Sequence, residues 1–203
     1  PDSRKTFIYN TFEKLMKAIS KSLKKNDPNH LNLGIRYGYI EQLDDELLRI
    51  SKESFDALSF NCYALSPDHE KMNHALEISG LPMIIGEYHF GTVDRGLAQS
   101  LWQVNSQKER GDAFRYYTEN AFAHRGLIGT GWFRWIDQNI NGRTDGENYN
   151  CGFIDVTDRP YPYMVDAAIK TAKSLYEIHS GTKTPFHQAP NAVGHSPIPD
   201  LWE

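Results

Sequence analysis

Four short apolar runs set the limits on what this chain can fold into: residues 31–37 (LNLGIRY), 55–63 (FDALSFNCY), 82–88 (PMIIGEY) and 127–136 (LIGTGWFRWI). Each leads, directly or across a loop, into a stretch with helical periodicity. Short continuous strands alternating with helices are the pattern of a parallel sheet, because the crossover helices bury both strand faces. The fold class expected is therefore α/β, with four βα units preceded by one helix.

That first helix is predicted over 4–25. Phe7, Ile8, Phe12, Leu15, Met16, Ile19 and Leu23 recur at three- and four-residue steps and predict one buried stripe. Lys21, Lys24 and Lys25 close it where cations suit the helix dipole, and Asp27-Pro28-Asn29 stops it. Further helices are expected over 44–52, 67–79 (opened by Pro67, ended by Gly80), 107–125 and 161–179. The Pro-, Gly- and His-rich residues 181–203, with His187 and His195, read as an extended arm behind a domain spanning 1–180.

Composition narrows the function classes. With 39% hydrophobic residues the chain can bury a core, and no run approaches the ~20 apolar residues of a membrane span. Twenty-two basic against 26 acidic residues leave no basic stripe for nucleic acid. Cys62 and Cys151 fit neither a CxxC pair nor zinc spacing and read as buried free thiols. His69 and His74, five apart on a helix, do not share a face. No metal or cofactor is implied, and G-x-S-x-G, Walker and H-E-x-x-H motifs are absent.

Parallel α/β sheets carry their chemistry at the C-terminal ends of the strands. Here those ends read Arg36-Tyr37-Gly38, Asn61-Cys62-Tyr63, Glu87-Tyr88-His89 and Trp135-Ile136-Asp137-Gln138. Glu87 stands out. A carboxylate closing a buried strand is costly to desolvate unless it is paired or used. It is either a structural partner for a cation such as Arg36 or a nucleophile or base oriented by Arg36 and Tyr63. Trp132 and Trp135, three apart, point to opposite strand faces. Trp132 is expected to pack against helices and Trp135 to face a ligand.

These residues carry a resemblance. DPNHLNLGIR, IIGEYHFG, GWFRWIDQ and the loop GRTDGENYNCGFIDVTDRPYP occur in order, one βα unit apart. Together they resemble strands five, seven and eight, and the loop after strand eight, of a (β/α)8 TIM-barrel glycoside hydrolase. The clan is the one that includes β-galactosidases, cellulases and agarases, and the similarity is greatest to β-agarase-like galactanases. The resemblance implies the C-terminal half of such a barrel, a retaining mechanism, an oligo- or polysaccharide substrate and a secreted or periplasmic location. It implies Glu87 as nucleophile, Tyr63 as its hydrogen-bond partner and Trp135 as the platform under the reactive sugar. Arg36 and His89 would be polar contacts to sugar or to Glu87, and Asp137, Gln138, Asp145, Glu147 and Asn148 would serve hydroxyl groups.

One departure weighs against catalysis by these residues alone. The clan's acid/base is a glutamate following an asparagine at the fourth strand, and no Asn-Glu dipeptide occurs in this chain. A whole barrel takes ~250 residues, so strands one to four and the acid are expected outside these 203. Glu147 is a poor substitute, since a loop carboxylate is more simply a binding group. A non-catalytic carbohydrate-binding half-barrel is the rival reading. A second copy or a complementing N-terminal half would then close the exposed sheet.

Overall fold

The computed structural model describes residues 3–194. Two units are defined by internal packing: residues 1–62, 68–86 and 126–129 form the first, and residues 63–67, 87–125 and 130–203 the second. The sheet has the order β1 (Arg36–Tyr37), β2 (Leu58–Phe60), β3 (Met83–Tyr88), β5 (Leu127–Trp132), and both β1–β2 and β2–β3 are parallel. Beside β5 the registers also ascend together: Met83 N–H donates to the Gly126 carbonyl at 2.7 Å, and Phe133 N–H to the Tyr88 carbonyl at 2.9 Å. The α/β parallel-sheet expectation is met.

In the first unit, α1 (Ser3–Asn26), α2 (Asp45–Ser54) and α3 (His69–Ser79) are set by local signals. Asp44 caps α2 by accepting from the Leu47 amide, and Asp68 caps α3 by accepting from Glu70 and Lys71. Pro67 therefore lies just outside α3 rather than opening it. Gly80 ends α3 at φ 68°, the left-handed conformation that favours glycine. Leu48, Ile50, Leu58, Phe60, Met72, Met83 and Ile85 form the buried interior of this unit.

Two expectations fail here. The run 31–37 pairs over two residues only, because Asn32 turns aside: its N–H donates to Asp56 at 2.7 Å and its side chain to the Ser54 carbonyl at 3.0 Å. Leu31, Leu33 and Ile35 are consequently exposed. Nor is the stripe of α1 buried as a whole. Met16 is covered, whereas Phe7, Ile8, Leu15, Ile19 and Leu23 are 43–69% exposed.

In the second unit, α4 (Gln107–Phe122) packs against α5 (Pro162–His179). Tyr88, Phe114, Tyr117, Trp132 and Phe153 interlock as an aromatic cluster, with Tyr88 and Tyr117 stacked at 4.0 Å. Trp132 thus packs against a helix as expected, its indole N–H donating to the Cys151 carbonyl at 2.6 Å. Both cysteines are buried. Residues 181–194, after α5, make several contacts with the rest of the second unit. Phe186 N–H donates to buried Glu119 at 2.8 Å, Asn191 N–H donates to Glu109 at 2.8 Å, and β6 (Val193–Gly194) pairs antiparallel with β4 (Trp102–Gln103), two strands absent from the sequence reading. His195 lies outside the described residues.

Candidate active site

The residues expected to do chemistry divide between the units. Arg36 lies in the first, exposed, with its aliphatic stem over Gly86. A Cβ on residue 86 would sit 2.2 Å from Arg36 Cδ, so this approach requires glycine. Tyr63, Glu87, His89, Trp135, Asp137, Gln138, Glu147 and Asn148 all lie in the second unit.

Within that unit the central pair is Tyr63 and Glu87. Glu87 is half-buried at the end of β3, and the Tyr63 hydroxyl donates to its Oε2 at 2.8 Å. Burial first, and then this bond to an anion, push the Tyr63 phenol far above its ordinary range. It therefore remains a permanent donor, so one oxygen of Glu87 is fixed in direction. A carboxylate held this way can attack an electrophilic carbon or accept a proton.

His89 is placed differently from the expectation. It is 1% exposed and both ring nitrogens are committed to backbone: Nδ1 to the Phe133 carbonyl at 3.0 Å, and Nε2 accepting from Leu101 N–H at 3.1 Å. It has no polar atom left for a sugar or for Glu87. Burial pushes its pKa down to about 3, so the ring is neutral. Its edge packs on Tyr63 with centroids 4.9 Å apart.

Asp137 and Gln138 are engaged within the protein. Asp137 is buried and accepts from Asn150 Nδ2 at 3.0 and 2.9 Å, from Gly152 N–H at 2.6 Å and from the Tyr161 hydroxyl at 2.5 Å. Asn150 in turn accepts from Arg110, a fully buried guanidinium 4.7 Å from the Tyr161 ring centroid. Gln138 is fully buried. It donates to Glu147 at 2.7 Å and accepts from Tyr149 N–H at 2.7 Å. These polar groups build the loop after β5 instead of facing a ligand. Asn150, Tyr161 and Arg110 were missed because nothing local in the sequence separates a buried polar hub from a solvated one.

The rim of the loop is more open. Glu147 is ion-paired with Arg143 at 3.3 Å. Asp145 also pairs with Arg143, at 2.8 Å, and half-buried Asn148 reaches the Ile140 carbonyl at 3.5 Å. Trp135 is 68% exposed, with one face stacked on Phe153 at 5.9 Å and 20°. An indole braced from behind and open in front is a platform for an apolar ligand face. Among the described residues no group of three or more His, Cys, Asp or Glu is arranged to hold a metal ion. No helix among them is long and apolar enough to cross a membrane.

Comparison with known proteins gives this geometry a context. No family model matches the chain. It is 37% identical to β-agarase A of Vibrio sp. (strain JT0107) over 166 residues, covering 78% of this chain and 16% of that protein. It is 35% identical to β-agarase B of the same strain over 170 residues, covering 80% of this chain and 17% of that one. The solved structure of an exo-β-agarase superposes with a TM-score of 0.80 at 32% identity, covering 88% of this chain and 24% of that chain. The agarase AgWH50C does so with a TM-score of 0.79 at 35% identity, covering 84% and 26%. The chain thus spans about a sixth of the length of the two Vibrio relatives. Over most of its own length, the chain is related to the β-agarase-type glycoside hydrolases and corresponds to a part of them.

Proposed function

We propose that this chain carries the nucleophile half of a retaining glycosidase acting on an agar-type galactan, with Glu87 as nucleophile. The observation that carries the reading is the Tyr63–Glu87 hydrogen bond at the end of β3. Glu87 would attack the anomeric carbon while the leaving oxygen takes a proton from an acid ~5–5.5 Å away. Water would then hydrolyse the glycosyl-enzyme with that acid acting as base. Trp135 would support the sugar and Tyr63 would hold Glu87 in line. Glu147 and Asn148, on the loop after β5, would be further sugar contacts. A polymeric substrate places the reaction outside the cytoplasm.

The acid/base glutamate is assigned to a segment outside these residues, in the N-terminal half of a (β/α)8 barrel whose strands five to eight are β1, β2, β3 and β5. Residues 1–180 would be this half-barrel, and 181–203 its C-terminal arm. Five exposed apolar side chains on α1, together with Leu31, Leu33 and Ile35, support a sheet and helix layer that continues beyond β1. A second copy of the chain would be the other way to cover them.

The test is Glu87→Gln in the full-length enzyme, assayed on agar oligosaccharides. Turnover should fall by ~10³-fold or more with folding nearly intact. Retained hydrolysis would sink the assignment. A second reading, binding without cleavage, is favoured for this chain alone by the Arg143 pairing of Glu147 and the missing Asn-Glu. Oligosaccharide binding by the isolated chain without product formation would support it.

A further inference from the structure

The His89 imidazole gathers four segments of the second unit beside Glu87, at Tyr63, Leu101, Phe133 and Tyr149. Tyr63, Phe133 and Tyr149 pack their rings on it at 4.9, 5.9 and 5.8 Å. Its nitrogens bond the backbone at Phe133 and at Leu101. Leu101 N–H can only donate, so Nε2 must present its lone pair, and Nδ1 must carry the proton it gives to the Phe133 carbonyl. One tautomer of a neutral ring satisfies both bonds. A protonated ring would set two N–H groups against each other at Leu101.

We propose that His89 is a positioning residue for the reaction assigned to Glu87: a neutral clamp that joins the backbone at Leu101 and Phe133 and, through its edge contact, aims the Tyr63 hydroxyl at Glu87. The proposal rests on Glu87 being the nucleophile. It gives His89 no contact with substrate and no proton transfer. Its effect on rate passes through Tyr63 alone. Tyr63 has two constraints on its orientation, the bond to Glu87 and the ring beneath it. Without the bonds that pin it at Leu101 and Phe133 the ring beneath Tyr63 shifts, and the hydroxyl samples directions in which Glu87 Oε2 loses its donor.

The experiment is a double-mutant cycle in the full-length enzyme with His89→Phe and Tyr63→Phe, read as kcat and KM on an agar oligosaccharide. His89→Phe should lower kcat ~10-fold or more with KM within about threefold. Adding Tyr63→Phe should then cost little more, because the bond it removes is already lost. Losses that multiply across the cycle would overturn the proposal, as would unchanged kcat in folded His89→Phe. Because that variant strands two backbone groups, His89→Asn and His89→Gln accompany it. Asn retains a donor for Phe133 and Gln an acceptor for Leu101, but neither keeps a ring beside Tyr63, so neither should recover kcat. Recovery by either would overturn the edge contact as the route to Glu87. Imidazole ¹⁵N spectra give an arm independent of activity: one neutral Nδ1–H tautomer throughout pH 4–8 is expected, and a titration midpoint inside that window would overturn it. If Glu87→Gln keeps its turnover the nucleophile fails, and the spectra still decide the state of the ring.

Discussion

The Tyr63 hydroxyl donates to Glu87 Oε2 across 2.8 Å, joining the segment after β2 to the end of β3. Because burial and the carboxylate both keep the phenol protonated, the bond is present throughout the ordinary pH range. A hydrogen bond to a charged group contributes ~1.5–3 kcal/mol. Tyr63→Phe should therefore lower kcat/KM about 10- to 100-fold and lower the thermal midpoint by several degrees. Steady-state kinetics beside calorimetry would check it. A loss under twofold would show that Glu87 does not depend on this donor.

The buried neutral His89 ties stability to pH. Its folded pKa of about 3 lies below the ordinary value of 6.5, so between these values the unfolded chain binds a proton that the folded chain refuses. Stability is thus full above about 6.5 and declines as pH falls toward about 3, by at most ~1.4 kcal/mol per pH unit from this residue. The charged and titratable groups around it are Arg110 on α4, which opposes protonation, and the high-pKa phenols of Tyr63 and Tyr149. Urea unfolding at pH 4, 5, 6 and 7 should show this slope, and it should flatten in His89→Gln. An unchanged slope would refute the linkage.

The strands and helices were readable because burial is written into composition: a run such as PMIIGEY can sit only between helical layers. Glu87 and Tyr63 were readable for the same reason, as polar residues closing such runs. What could not be read were choices made by distant partners. Asp137 looks like a sugar ligand until Asn150, Gly152 and Tyr161, 13–24 residues further on, fill its oxygens. His89 looks like a reactive imidazole until Leu101 and Phe133 occupy both nitrogens. The expected strand over 127–136 runs past the observed end of β5 at Trp132 because apolarity continues through Phe133 and Trp135.

Asp137 should then behave as a structural residue. Asp137→Asn puts an amide donor against the Asn150 amide and the Gly152 N–H, and removes the negative partner that offsets buried Arg110. Breaking one partner of such a buried charged network costs ~3–5 kcal/mol. The denaturation midpoint should drop accordingly. A variant of native stability with weakened oligosaccharide binding would return Asp137 to the ligand side.

The exposed face of α1 makes a contrasting prediction. Leu15 and Ile19 are 53% and 43% exposed, so Leu15→Glu and Ile19→Lys should change the stability of the isolated chain by less than ~0.5 kcal/mol. In the full-length protein, where the proposed N-terminal half covers this face, the same changes should cost several-fold more and lower the yield of soluble enzyme. Equal effects in the two contexts would remove the support that α1 lends to the half-barrel.

Trp135 tests the ligand side most directly, because folding asks so little of it. At 68% exposure its front face buries almost nothing, and Phe153 behind it keeps its contact with Trp132 at 5.7 Å when the indole is removed. Trp135→Ala should therefore leave the melting midpoint nearly unchanged. A sugar ring stacked on the indole would lose its apolar contact area and a rigid wall, a loss of ~1.5–3 kcal/mol on the scale of burying one large side chain. Binding of agar oligosaccharides by titration calorimetry should weaken about 10- to 100-fold, whereas Trp135→Phe, which keeps a smaller ring, should recover part of the affinity. If Trp135→Ala binds as tightly as the parent chain, the platform is elsewhere and the exposed indole serves another contact.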